Sequence, residues 1–192
     1  MRSLSEKVAG IAASATIEIS NAAKRMAAEG IDVISLSIGE PDFDTPEHIK
    51  EACIDALRRG ETHYAPSTGI PELTAAIARK ISTENGFSAS QDEVLVTCGA
   101  KDAIHQAMEA VLNPEDEALI LDPSWVSYEP CVRLAGAGVR HHALDPVAFQ
   151  VDDTLLEAVS PRTKMIVVNT PSNPSGAVLD ADSLRLIADL CS

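Results

Sequence analysis

Apolar positions along the chain gather into short, nearly unbroken runs separated by stretches with helical spacing. Val94-Leu95-Val96-Thr97-Cys98, Ala118-Leu119-Ile120-Leu121, Val139 to Ala143 and Met165-Ile166-Val167-Val168 read as strands. Runs that are apolar on both alternating faces suit strands covered on both sides of a sheet. Val33-Ile34-Ser35-Leu36-Ser37 is a shorter candidate nearer the N-terminus. The first predicted helix runs from an N-cap at Thr16 to Glu29, and Gly30 stops it. A second starts at Thr45-Pro46, reaches about Arg59 and ends at Gly60, and a third runs from Pro71-Glu72 to about Asn85. Further helices are expected over Lys101–Leu112, about 126–134 and about 153–159, with a last one capped by Asp180. Strands alternating with helices predict an α/β fold, a three-layer α-β-α arrangement around a mostly parallel sheet.

Open parallel sheets bind ligands beyond the carboxyl ends of their strands. Three segments therefore carry the candidate chemistry: Gly99-Ala100-Lys101, Asp122-Pro123-Ser124-Trp125, and Asn169 through Gly176. All three should converge on one rim. Thr97-Cys98-Gly99-Ala100-Lys101 runs from strand to helix through small residues, which lets an anion approach the first free N–H groups at the positive end of the helix dipole. A phosphate suits that place, although the segment is neither a dinucleotide fingerprint nor a P-loop, and strand-glycine-helix turns are common. Trp125 is the only tryptophan; its flat face could stack on an aromatic ligand or anchor the core. Pro171 and Pro174 stiffen the loop that presents the Asn173 amide, though proline and glycine also serve turns that bind nothing.

Five segments occur in order along the 192 residues. The first two are Ser37-Ile38-Gly39-Glu40-Pro41-Asp42-Phe43 and His63-Tyr64-Ala65-Pro66-Ser67-Thr68-Gly69-Ile70-Pro71-Glu72-Leu73. Thr97 to Lys101, Pro123-Ser124-Trp125-Val126-Ser127-Tyr128 and Asn169 to Gly176 complete the set. In this combination the sequence resembles the class I and II aminotransferases of the fold-type-I pyridoxal-phosphate (PLP) family, most of all prokaryotic aspartate aminotransferases. The resemblance implies that Gly99, Ala100 and Lys101 cradle the PLP phosphate, that Trp125 stacks on the pyridine ring, and that Asn173 hydrogen-bonds the ring hydroxyl oxygen. It implies that Gly39 lies beside the substrate α-carboxylate, with Trp125 and Asn173 also bordering the substrate. Tyr64 would reach the phosphate of a neighbouring subunit, which implies a homodimer with shared active sites.

By the same resemblance, residues 1–45 are an N-terminal arm and small-domain segment, and 46–192 the first half of an incomplete PLP-binding large domain. The implied reaction moves an amino group from an amino acid, aspartate favoured, to a 2-oxo acid. The Schiff-base lysine of such enzymes is not expected in this chain, which is expected to be an N-terminal portion inactive alone. Neither Lys101 nor Lys164 has the sequence context of that lysine. A C–S lyase or related reaction on the same scaffold, or a non-catalytic truncated protein, are the alternatives. Glu109, eight residues after Lys101 on the same predicted helix, would repel a dicarboxylate if it faced the site; otherwise it faces solvent.

Charge narrows the partners. Lys and Arg total 15 against 29 Asp and Glu, a net charge of −14. Such a chain should repel nucleic acid and anionic membranes, so neither is an expected partner. Cys53, Cys98, Cys131 and Cys191 lie far apart and lack the paired spacing of zinc sites, and adjacent His141 and His142 would face opposite sides of a strand, so no metal site is expected. No run reaches the roughly 18 apolar residues of a membrane span, and the N-terminus does not read as a secretory signal. Cytoplasm is the expected compartment.

Overall fold

The computed structural model describes residues 5–11 and 15–192. The arm and small-domain segment expected over residues 1–45 therefore lies in part outside the described residues, at 1–4 and 12–14. Two compact units form. One holds Cys98–Ser192 with the described residues 5–11, and the other lies within Ala13–Thr97.

The first unit is built on a parallel sheet of three strands, β1 (Glu117–Asp122), β2 (Gly138–Ala143) and β3 (Thr163–Val167), in the order β2-β1-β3. Its helices are α1 (Glu6–Ala9), α5 (Ala100–Val111), α6 (Tyr128–Ala135), α7 (Leu155–Ala158) and α8 (Ala181–Leu190). The other unit contributes α2 (Ala15–Ala28), α3 (Glu47–Arg58), α4 (Pro71–Glu84) and the 3-10 turn Gln91–Glu93.

Alternation along β1 sends its side chains to two separate cores. Ala118 packs with Met108 and Leu112 of α5 and Cys131, Val132 and Ala135 of α6. Leu119 and Leu121 face the other way, onto Val151, Leu155, Leu179 and Ile187, beside α7 and α8. The central strand is thus covered on both faces, as its unbroken apolar run requires, and the three-layer α/β expectation holds for this unit.

The N-terminal end of β1 is closed by charge. Glu117, buried, accepts from the Ser160 hydroxyl at 2.6 Å and pairs with Arg162, with Arg140 3.9 Å away. A buried carboxylate persists only when paired in this way. Beside it, Lys164 donates to Asp116 at 3.1 Å. This end is sealed, which leaves the opposite end for ligands.

Two expected strands are absent. Val94 takes extended dihedrals (φ −109°, ψ 126°), and the Val96 amide donates to the Thr68 carbonyl at 3.0 Å, yet residues 94–98 form no ladder. Val33–Ser37 is likewise irregular. Extended backbone becomes a strand only where successive residues share a ladder with a neighbour, and neither segment is part of the three-stranded sheet. Smaller corrections concern helix starts. Thr16 lies inside α2 rather than capping it, and Pro46 holds the N-cap position of α3 without a side-chain cap. Asp180 does cap α8, its carboxylate accepting from the Ser183 N–H at 2.8 Å. Among the described residues, no helix is long and apolar enough to cross a membrane.

Candidate functional site

The order β2-β1-β3 creates a switch point between β1 and β3. The chain leaving β1 enters α6 on one face of the sheet, whereas the chain leaving β3 enters α8 on the other. Diverging connections leave a crevice at the carboxyl ends of those two strands, which is where open α/β sheets bind ligands. A cleft opens there, lined by Pro123 and Ser124 after β1, by Asn169, Ser172 and Asn173 after β3, and by Tyr128 of α6. Asn173 is exposed at its edge.

Trp125 stands on the same rim, half-buried. Its indole meets the buried Tyr128 ring edge-on, with centroids 5.5 Å apart and planes at 86°. The Lys101 ammonium lies over the indole at 5.1 Å from its centroid. That contact brings the start of α5 to the rim. Gly99 occupies the N-cap position of α5 with φ 84°, a left-handed conformation that glycine adopts without strain. A Cβ built on Gly99 would meet nothing within 4 Å, and beside it the Asp102 carboxylate of the first turn accepts from the Cys98 N–H at 3.1 Å. The three segments expected to converge do so.

Local spacing did not reveal the network under the Trp125 loop. The Asp122 carboxylate, at the end of β1, accepts from the Ser124 hydroxyl at 2.7 Å and meets His141 Nδ1 at 2.8 Å. His141 Nε2 lies 3.4 Å from Glu129 of α6. His142 points to the opposite face, where it acts on Asp152, as adjacent strand residues must. Strand register unites Asp122 with His141, and only the pairing of β1 with β2 supplies it. A polar residue ending an apolar strand was the one available signal.

Gly39 and Tyr64 belong to the other unit, and both are exposed. Glu109 is exposed on α5 and absent from the cleft lining. Lys164 is engaged by Asp116 at the sealed end of the sheet. Burial raises the Cys131 thiol pKa, partly offset by the Lys101 charge; the other three cysteines are exposed and free. Among the described residues, no three His, Cys, Asp or Glu side chains are grouped to hold a metal.

The sequence profile of the family described as aminotransferase class I and II matches residues 31–192. The chain belongs to that family. It is 45% identical to the aspartate/prephenate aminotransferase of Thermus thermophilus, over 99% of this chain and 50% of that protein. It is 40% identical to the aspartate aminotransferase of Geobacillus stearothermophilus, over 98% of this chain and 48% of that protein. Among solved structures, the Thermus thermophilus aspartate aminotransferase with maleate superposes with a TM-score of 0.95 at 45% identity. That match covers 99% of this chain and 50% of the other. The chain thus spans about half the length of the curated relatives it matches, and its fold is that of their N-terminal half.

Proposed function

We propose that this chain supplies the cofactor-positioning part of a PLP-dependent aminotransferase that moves an amino group from an amino acid to a 2-oxo acid. The single observation carrying the reading is the open cleft at the β1/β3 switch point, lined by Ser124, Tyr128 and Asn173 within a member of this family, with Trp125 next to it in the chain and under the Lys101 ammonium. The residues fit the group. The Gly99–Lys101 turn is a helix start, whose positive dipole end suits the phosphate. Trp125 offers a flat face for the pyridine ring, and the Asn173 amide can donate to a ring oxygen. PLP, when bound, supplies the electron-withdrawing ring that carries aminotransferase chemistry.

The chain's own residues bind and orient. Gly39 would border the substrate α-carboxylate through its backbone, and Tyr64 would serve the phosphate of a second subunit, making a homodimer the working form. Residues 1–45 would belong to the small domain and 46–192 to the large one. The covalent and proton-transferring lysine is proposed to come from outside these 192 residues. In support, Lys101 is engaged by the indole and Lys164 by Asp116. The names of the Thermus and Geobacillus relatives support aspartate as amino donor. The cytoplasm is the compartment this reading implies.

Borohydride reduction in the presence of PLP, followed by mass analysis of peptides, tests the division of labour. The reading expects reversible, weak, non-covalent binding by this chain. A stoichiometric pyridoxyl adduct on one specific lysine would place the covalent function here and overturn it.

A further inference from the structure

We propose that Lys101 acts through its side chain as a positioning residue, holding the Trp125 indole so that one face stays available to a flat ring. The proposal rests on the reading of Trp125 as a stacking surface for the PLP ring. Lys101 is the second residue of α5, and a cation in the first turn of a helix opposes the helix dipole. Helix stability therefore gives no reason for a lysine at this position. The gain appears elsewhere: its ammonium lies 5.1 Å from the indole centroid, within the range of a cation–π contact.

Tyr128 meets the same indole with ring planes at 86° and is itself buried, so it is a fixed wall. A cation over the ring and an edge-on tyrosine constrain the indole from two directions. The ammonium lies over one face, and a flat ring would take the other. The backbone of Lys101 lies in the proposed phosphate cradle, and its side chain reaches the proposed ring platform. One residue would thus serve both subsites in separate ways.

The test uses Lys101→Met, which keeps length and removes charge, and Lys101→Arg, which keeps a cation able to lie on an indole. Trp125 is the sole tryptophan, so fluorescence reports on it alone. Acrylamide quenching should rise in K101M and return toward the starting level in K101R. Affinity for pyridoxine and for pyridoxine 5′-phosphate should fall in K101M by the same factor, about two- to fivefold. Unchanged quenching in K101M would overturn the proposal. So would a loss confined to the phosphate-bearing ligand, which would make the Lys101 side chain a phosphate ligand. If the unsubstituted chain binds neither ligand, the PLP reading fails, while the quenching comparison still decides whether Lys101 holds the indole.

Discussion

Leu119 and Leu36 are the same residue type in two regions of one chain, with opposite surroundings. Leu119 is 0% exposed in the middle of β1, packed against Leu155 and Ile187. Leu36 is 95% exposed, and Ile34 and Phe43 near it are also largely uncovered. Both segments are apolar and extended in sequence. The sheet unit covers its apolar runs with its own helices, whereas the apolar side chains of residues 31–45 have no such cover within their unit. Apolar runs encode a demand for burial, and which element meets that demand is a separate matter.

Hydrogen exchange should separate the two regions most sharply. Amides of β1 should be protected at least about a thousandfold more than those of residues 31–45. Equal protection would show that residues 31–45 acquire a partner in solution. Next in size is a pair of substitutions followed by denaturant titration. Leu119→Ala should cost about 2–5 kcal/mol, and Leu36→Ala no more than about 0.5 kcal/mol. A large cost at Leu36 would break the comparison. Uncovered apolar surface also favours association, so Leu36→Lys should shift the chain toward smaller species in size-exclusion chromatography. No shift would mean that this surface does not drive association.

The same comparison extends to the rim. Trp125→Ala should weaken ring-ligand binding while leaving the unfolding midpoint nearer the parent's than Leu119→Ala does. Collapse of the fold with unchanged affinity per folded molecule would make Trp125 a core anchor.

The smallest effect concerns acid. The Asn113 N–H lowers the Asp116 carboxyl pKa, with Lys164 adding to it against desolvation, and the Ser183 N–H lowers that of Asp180. In the other unit, Lys50 does the same for Asp44. A carboxyl lowered on folding stabilises above its unfolded pKa, and that contribution is lost as pH falls through the folded value. Stability should therefore decline below about pH 4, where unfolded aspartates take up protons. Asp116→Asn should flatten that decline slightly; an acid limb that steepens would contradict the stated sign.

The three strands of the sheet, the Asp180 cap and the rim segments were legible because local pattern carries them. Residues 94–98 and 33–37 were legible as extended and not as lying outside the sheet, since ladder formation is a non-local property. The rim could be located because strand ends are readable once the sheet is recognised as parallel. The Asp122–His141–Glu129 contacts could not, because β1, β2 and α6 meet only in the folded sheet. The Lys101–Trp125 contact was hidden for the same reason: 24 residues of sequence give no hint that an ammonium will settle over that ring.

The central claim is that a phosphorylated pyridine ring binds at the β1/β3 rim. Hydrogen exchange of this chain with and without saturating pyridoxine 5′-phosphate, which lacks the aldehyde and so cannot bond to lysine, addresses it most directly. Protection should appear in residues 99–103, 123–128 and 169–176 and nowhere near Glu117. Protection confined to residues 13–97 or to the Glu117 end, with the rim unaltered, would contradict the account.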